Sequence, residues 1–140
     1  RKSAQVECYL QCDMSSCPDL AQTVVVTCAI LGVPFSLTGL ESLRIKETDR
    51  IQALKNELEK FGYSLDDSRE GTLEFDGTQK NDIEAVEPIG IQTYDDHRMA
   101  MAFTPICCRR QMVRIMDPEV VSKSYPSFWD DIQQAGFRLP

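Results

Sequence analysis

The sequence contains no apolar run of the roughly 20 residues that a membrane-spanning helix needs. Its longest such stretch, TVVVTCAILGVPF, is interrupted by Gly32 and Pro34. Basic residues are in the minority, 15 against 22 acidic ones, which gives a formal net charge of −7. A chain of this charge is not expected to bind nucleic acid or an acidic membrane surface. We therefore expect a cytoplasmic globular protein.

The six cysteines include no C-x-x-C pair. The spacing of Cys8, Cys12 and Cys17 is not that of a usual zinc site, and the only histidine, His97, is far away in the sequence. An even number of cysteines also allows disulfides, but the chain is not small and has no secretory features. We expect buried, reduced cysteines and no metal site.

The length of 140 residues, of which 42% are hydrophobic, is enough for one sizeable core and indicates one domain. The chain begins RKSAQVECYL, without a Met and without the layout of a signal peptide. We expect it to be a segment of a longer polypeptide, so that a function found here is part of a larger one.

Strand and helix periodicity alternate along the chain in an order that occurs twice. The first half predicts a strand at VECYLQC, a helix over 18–31, a strand at PFSLTGL, a helix over 47–61, and strands at YSLDD and TLEFDG around a turn at 69–71. The second half predicts a strand at PIGIQT, a helix over 96–109, a strand at MVRIMD, a helix over 124–134 and a closing strand at FRLP.

The order β-α-β-α-β-β followed by β-α-β-α-β indicates an internal repeat. The segments LEKFGYSL and IQQAGFRL end the second helix of each half in a similar way. We predict one α/β domain over 1–140 (α+β in some classifications), composed of a first unit at 1–79 and a second unit at 80–140.

The predicted helix over 47–61 has an apolar stripe with helical periodicity, formed by Ile51, Leu54, Leu58 and Phe61. We expect this stripe to face the core. The charged residues Glu57, Glu59 and Lys60 are expected on the solvated face. Met99, Met101 and Phe103 in the third helix are expected to pack in the core.

Ionisable residues are concentrated where the four predicted helices begin. They are Asp19 at the first helix; Lys46, Glu47, Asp49 and Arg50 at the second; Asp95, Asp96, His97 and Arg98 at the third; and Lys123 at the fourth. Unpaired N–H groups and the helix dipole make acidic residues common caps there, and this interpretation applies to Asp19, Glu47 or Asp95. Basic residues oppose the dipole, and four of them suggest a bound polyanion.

Helices of a β-α repeat usually run parallel, so we expect their N-termini to meet at one end of the domain. The four basic side chains are then positioned to hold phosphate or carboxylate groups. Asp19 and Glu47 are candidate proton-transfer groups, and His97 is a candidate bridge between them and the cations. We expect a locally positive pocket in an acidic protein. A purely structural role for all these charges is the alternative.

The segments CPDLAQT, LRIKETDRI, YDDHRMAMAF and DPEVVSKSYPSFW closely resemble the C-terminal third of 5-enolpyruvylshikimate-3-phosphate (EPSP) synthases. This resemblance implies transfer of the enolpyruvyl group of phosphoenolpyruvate to the 5-hydroxyl of shikimate 3-phosphate, with release of phosphate and without a metal or organic cofactor. It also implies a fold of two domains, each with three β-α-β-α-β-β units, parallel helices and outer sheets. The chain would contain two of the three units of one domain.

Roles for individual residues follow from the same resemblance. Asp19 contacts the ring hydroxyls of shikimate 3-phosphate and is the candidate base, while Glu47 exchanges a proton with the methylene carbon of phosphoenolpyruvate. Lys46 lies between the two substrates, and Ser42 occupies a position where some members have an asparagine near the shikimate phosphate. The remaining matches serve phosphoenolpyruvate: Arg50, Arg98 and Lys123 as cations and His97 in support.

The family's N-terminal substrate-binding motifs are absent from this sequence. The resemblance therefore implies that the partner of this chain is the N-terminal part of the same protein, and that the 140 residues alone are inactive. Two alternatives stay open: the sister enolpyruvyltransferase that acts on UDP-N-acetylglucosamine, and a non-catalytic module that binds a phosphorylated metabolite.

Overall fold

The computed structural model describes residues 7–80, 87–110 and 112–139. Strands and α-helices alternate along these ranges. They are β1 (Leu10–Asp13), α1 (Ala21–Leu31), β2 (Phe35–Thr38), α2 (Arg50–Glu59), β3 (Leu73–Phe75), β4 (Ile89–Ile91), α3 (His97–Phe103), β5 (Val113–Ile115) and α4 (Phe128–Gln134). Short 3-10 helices lie at Pro18–Leu20, Glu41–Ile45, Thr104–Cys108 and Pro118–Val121.

The strands form two small sheets, and each sheet contains a parallel pair joined by a helix. β1 pairs in parallel with β2 after α1, and β3 adds antiparallel on the other side of β2. In the second half, β4 pairs in parallel with β5 after α3. The mixed α/β class predicted from the sequence is confirmed. The boundary between the two predicted units, at residue 79, remains a prediction.

The core lies between the helices and the inner faces of the sheets. α1 packs against α2 and α3, and β1 packs against β2. The predicted apolar stripe is confirmed, because its three side chains on α2 and Phe61, just beyond the end of α2, are at most 1% exposed. In α3, Met99 and Phe103 are fully buried, while Met101 is half-buried and packs on a smaller cluster around Val121 and Phe128. Complete burial of one such side chain contributes roughly 1.5–3 kcal/mol.

All four predicted helices are shorter as α-helices in the structure than in the sequence prediction. α1 begins at Ala21, because the predicted first turn is the 3-10 helix Pro18–Leu20. α2 begins at Arg50, because Asp49 has extended backbone angles and its side chain accepts a hydrogen bond from Gln52 N at 3.0 Å. α3 ends at Phe103 and continues as a 3-10 helix, since Pro105 has no N–H to donate. α4 begins at Phe128, because Pro126 disfavours a helical conformation in the residue before it.

All seven predicted strands are shorter than expected or absent in the described part of the chain. β1 begins only at Leu10, and the first residue of the predicted VECYLQC strand lies outside the described part of the chain. The segment YSLDD is not a strand: only Asp66 pairs, through two 2.9 Å backbone hydrogen bonds with Glu74. Residues 137–139 of the predicted closing strand have no strand structure, and Pro140 lies outside the description.

All six cysteines are free thiols in the structure, and their reduced state in the cell remains a prediction. The prediction of burial is wrong for most of them, because only Cys28 is buried, and Cys8 and Cys108 are exposed. Burial raises the pKa of the Cys28 thiol. Over the ranges described above, no cluster of His, Cys, Asp and Glu is grouped to hold a metal ion.

The described helices are short, and the longest, α1, has 11 residues. None of them combines the length and the apolar character that crossing a membrane requires.

Candidate active site

The N-termini of the first three helices meet at the side chain of Arg50, the first residue of α2. Arg50 Nη1 donates to Asp19 Oδ1 at 3.1 Å, and Asp19 lies in the 3-10 helix that precedes α1. Arg50 Nε donates to Asp96 Oδ2 at 2.8 Å, and Asp96 immediately precedes α3. The predicted meeting of helix starts is therefore confirmed for three of the four helices.

Arg50 is the buried centre of this cluster, with a side chain that is only 2% exposed. Its Nη2 also donates to Glu47 Oε2 at 2.5 Å and to Asp96 Oδ1 at 3.3 Å. Four of the five N–H groups of the guanidinium are thus directed at carboxylates. Such compensation is what makes a buried cation tolerable, since an unpaired one is strongly destabilising.

A half-exposed layer surrounds Arg50 and faces solvent. Its members are Asp19, Lys46, Glu47 and Arg98, whose side chains are between 33% and 46% exposed. Lys46 Nζ lies 3.5 Å from Asp19 Oδ1, and Arg98 Nη2 lies 3.8 Å from Asp19 Oδ2. Arg98 Nη1 also donates to the backbone oxygen of Asp19 at 3.2 Å. One carboxylate therefore faces three cationic side chains.

The charges in this cluster are balanced. Lys46, Arg50 and Arg98 carry three positive charges, and the carboxylates of Asp19, Glu47 and Asp96 carry three negative ones. The locally positive pocket expected from the sequence is therefore not formed by these six groups. A net attraction for an anion requires further cations from elsewhere.

The other predicted site residues lie outside this hydrogen-bonded cluster. Ser42 is half-buried in the 3-10 helix Glu41–Ile45, which packs against the 3-10 helix that carries Asp19. His97 is half-buried as the first residue of α3. Lys123 is exposed in the turn before α4. Among the residues with described structure, neither Lys123 nor His97 has a hydrogen-bonding or ion-pair partner on its side chain.

Ion pairs beside the cluster hold the segment that carries Lys46 and Glu47. Arg44 Nη1 lies 3.1 Å from Asp49 Oδ2, and Arg44 Nη2 lies 2.7 Å from Asp67 Oδ2. Lys55, on α2, reaches the other oxygen of Asp67 at 2.7 Å. The hydrogen bonds from Lys55 and Arg44 hold the pKa of Asp67 below its ordinary value.

The acidic residues that cap the helices differ from those expected under a purely structural interpretation. The caps are Asp49, at α2, and Asp96, which accepts from Arg98 N at 2.9 Å at the start of α3. Asp19 and Glu47 instead bind Arg50. Asp96 is the central carboxylate that the sequence prediction of the site missed. Its position directly before a helix was the available signal.

Glu57 corrects another expectation. The sequence predicts it on the solvated face of α2, but the residue is only 1% exposed. Its carboxylate accepts hydrogen bonds from Gln92 N and Tyr94 Oη, both at 2.7 Å, and from Lys60 Nζ at 2.6 Å. Glu59 and Lys60 are exposed as predicted. The burial of Glu57 follows from partners in a loop that is more than 30 residues away.

The amino-acid sequence of the chain matches a known protein family over almost its whole length. The model of the EPSP synthase (3-phosphoshikimate 1-carboxyvinyltransferase) family matches residues 3–132. The chain belongs to the EPSP synthase family. The resemblance found in the sequence motifs is thereby confirmed.

Individual members of the EPSP synthase family are similar to this chain over about nine tenths of its length. A 3-phosphoshikimate 1-carboxyvinyltransferase of Bacteroides fragilis is 54% identical over 127 residues, which are 91% of this chain and 30% of that protein. The enzyme of the same name from Methanospirillum hungatei is 35% identical over 130 residues, covering 89% of this chain and 27% of that protein.

A solved structure supports the fold. An EPSP synthase from Acinetobacter baumannii matches with a TM-score of 0.70 at 27% identity, over 85% of this chain and 27% of that structure. The chain therefore spans less than a third of the length of the relatives that it matches.

Proposed function

We propose that the full-length protein containing this chain transfers the enolpyruvyl group of phosphoenolpyruvate to the 5-hydroxyl of shikimate 3-phosphate and releases phosphate. The observation that carries the proposal is the attachment of two half-exposed carboxylates, Asp19 and Glu47, to the guanidinium of Arg50. Lys46 and Arg98 flank the same pair. Membership of the EPSP synthase family supports this assignment.

Each of the two steps of the reaction needs two proton transfers. In the addition step, the 5-hydroxyl loses a proton to Asp19, its oxygen bonds to the central carbon of phosphoenolpyruvate, and Glu47 delivers a proton to the methylene carbon. In the elimination step, Glu47 takes a proton back from that carbon as the bond to phosphate breaks, and the leaving phosphate takes up the proton held by Asp19, which restores both groups. A shared guanidinium holds both carboxylates at a fixed separation, which suits two transfers on one substrate pair.

The cations serve the phosphate and carboxylate groups. Arg98, Lys46 and Lys123 are the candidates for direct contact, since their side chains are at least partly exposed. Arg50 has one N–H left on Nη1 for the carboxylate of phosphoenolpyruvate. Ser42 is assigned to the phosphate of shikimate 3-phosphate, and His97 supports Arg98. Positive charges that are fixed before the reaction stabilise phosphate as it leaves.

The rest of the protein is the partner of this surface. The charges in the cluster are balanced, and Lys123 adds one cation for two anionic substrates, so we assign additional cations to other parts of the full-length protein. The 140-residue chain alone is then inactive. Six free thiols, two of them exposed, support a reducing compartment, and we assign the protein to the cytoplasm.

Phosphate release from phosphoenolpyruvate plus shikimate 3-phosphate tests the proposal on the full-length protein. We expect Glu47→Gln to lower kcat by about 10²–10⁴-fold, the range for loss of a general acid–base group. Arg98→Ala is expected to lower kcat/KM by about 10²–10³-fold through lost charge stabilisation. The 140-residue chain, assayed alone, is expected to release none.

Glu59→Gln is the matched control, because it removes a carboxylate from an exposed position on α2. Its activity is expected to equal that of the unmodified protein. A full-length protein that binds shikimate 3-phosphate in calorimetry but releases no phosphate would favour the non-catalytic module. Activity with UDP-N-acetylglucosamine as the acceptor would favour the sister transferase, which the family match disfavours.

A further inference from the structure

The loop between β4 and α3 carries Asp96 to Arg50 in a backbone conformation that non-glycine residues rarely adopt. Tyr94 and Asp95 have φ angles of 54° and 53°, both in the left-handed region. Two consecutive residues in this region persist only where the surrounding structure imposes the conformation. Something outside the loop must therefore hold it.

α2 fixes the loop through hydrogen bonds to the buried carboxylate of Glu57. Glu57 Oε1 accepts from the backbone N–H of Gln92 at 2.7 Å, and Glu57 Oε2 accepts from the hydroxyl of Tyr94 at 2.7 Å. Lys60 Nζ lies 2.6 Å from Glu57 Oε1 and also donates to the backbone oxygen of Gly90 at 3.0 Å. The buried charge is thus compensated, and both ends of the Gln92–Tyr94 segment are attached to one helix.

A second attachment fixes the middle of the loop. Thr93, which is fully buried, donates from Oγ1 to the backbone oxygen of Met116 at 2.9 Å. Asp96 N then donates to Thr93 O at 2.8 Å, which closes the turn. The loop therefore has few ways to relax while the bonds to Glu57 and Met116 are intact.

The same helix also holds the far end of the loop. Arg50 begins α2 and binds Asp96, while Glu57 lies seven residues later and binds Gln92 and Tyr94. Burial and the hydrogen bond to Glu57 both raise the pKa of the Tyr94 phenol, so the hydroxyl remains a donor over the neutral range. We expect that loss of the Glu57 contacts lets Asp96 shift, and that the guanidinium of Arg50, which binds Asp19 and Glu47, shifts with it.

We propose that Glu57, acting through Tyr94, is a positioning residue for the Arg50–Asp96 pair and hence for the two carboxylates of the site. The catalytic part of this inference rests on the proposed function. Neither Glu57 nor Tyr94 is assigned a contact with substrate. Their effect is on the placement of the groups that make such contacts.

Two variants of the full-length protein test this role: Tyr94→Phe, which removes one hydroxyl, and Glu57→Gln, which keeps the size of the side chain. Each is expected to lower kcat about 10- to 100-fold, the scale of a small misplacement of catalytic groups, with KM changed less than about threefold. The double variant is expected to lose less than the product of the two single losses, because both changes affect the hydrogen bond between Tyr94 and Glu57.

Phe75→Leu is the matched structural control. Phe75 lies on β3 and packs against Phe35 and Tyr63, away from the loop. It is expected to lower the denaturation midpoint while kcat stays unchanged. A loss of kcat in Phe75→Leu that matches its loss of stability would overturn the inference, and so would normal kcat in Glu57→Gln and Tyr94→Phe.

Amide hydrogen exchange gives a readout that does not depend on activity. Glu57→Gln is expected to speed exchange in peptides covering residues 92–98 and 46–50, and Phe75→Leu is expected to leave those peptides unchanged. Unchanged exchange in Glu57→Gln overturns the inference, even if the proposed function holds. If the unmodified protein releases no phosphate, the proposed function is wrong. The exchange result then decides by itself whether Glu57 positions the Arg50–Asp96 pair.

Discussion

The carboxylate of Asp96 and the guanidinium of Arg50 form a pair that is removed from solvent, with Asp96 0% and the Arg50 side chain 2% exposed. Their hydrogen bond of 2.8 Å joins the start of α3 to the start of α2 across 46 residues of sequence. A buried pair of this kind is costly to break from one side, because the remaining charge has no compensation.

The first prediction concerns Arg50→Met in the full-length protein. We expect a loss of about 3–5 kcal/mol in the free energy of unfolding, because Asp96 is left as an unpaired buried carboxylate. Urea denaturation measures it. Arg98→Ala is the control: its half-exposed pair with Asp19 is expected to contribute less than about 1 kcal/mol. Equal losses in the two variants would show that the buried pair is not central.

The second prediction separates binding from stability at Lys123. This side chain is exposed and has no partner within the described residues, so Lys123→Ala is expected to change the free energy of unfolding by less than about 0.5 kcal/mol. We expect kcat/KM for phosphoenolpyruvate to fall about 100-fold, because one cation that faces the substrate is lost. Lys80→Ala, at another exposed lysine, is the control. An unaltered kcat/KM in Lys123→Ala excludes Lys123 from the site.

The third prediction is a pH dependence at Asp67. Its folded pKa is below the ordinary 3.8, because Lys55 and Arg44 favour the charged form. The pair therefore stabilises the fold above about pH 4, and this contribution is lost as the pH falls through the lower folded pKa.

Asp67→Asn tests that dependence. It is expected to cost about 1 kcal/mol at pH 7, as a partly exposed ion pair does, and distinctly less at pH 3. Asp130→Asn, on the exposed side of α4, gives the background. Denaturation midpoints at both pH values measure the difference. A penalty that grows on acidification contradicts the prediction.

The fourth prediction compares two glycines with similar φ angles, Gly39 (φ 74°) and Gly32 (φ 68°). A Cβ on Gly39 would collide with Ser15 and Asp13, whereas on Gly32 its nearest neighbour is Gly77 O at 3.5 Å. We expect Gly32→Ala to cost about 1–2 kcal/mol for the left-handed conformation. Gly39→Ala is expected to cost about 1–3 kcal/mol more for the collision. Equal midpoints for both variants in thermal denaturation would refute the collision.

Local sequence patterns predicted the parts of the fold that depend on local physics. The apolar stripe of the second predicted helix follows from helical periodicity, because one face of this helix is buried. The gathering of helix starts follows from parallel strands joined by helices. The errors at helix ends were also local, since Pro105, Pro126 and the cap at Asp49 were visible in the sequence.

The missed features depend on partners that are distant in the sequence. Glu57 lies beside the apolar stripe, but its partners, the N–H of Gln92 and the hydroxyl of Tyr94, are 35 and 37 residues later. The central role of Asp96 likewise depends on Arg50. Patterns of neighbouring residues predict that a charged side chain is exposed. They therefore miss buried charged residues whose partners are distant in the sequence.

The contacts of Arg50 and Glu57 with one loop fix the number of α2 residues between them. Seven residues are about two turns, so both side chains point to the same side and reach the two ends of one loop. Inserting one residue between them rotates one of the two side chains by about 100° around the helix axis relative to the other. Substitutions at exposed positions of α2, such as Gln52, leave the spacing of Arg50 and Glu57 unchanged. Descendants of this sequence are therefore free to vary the exposed positions of α2 but not the number of residues between Arg50 and Glu57.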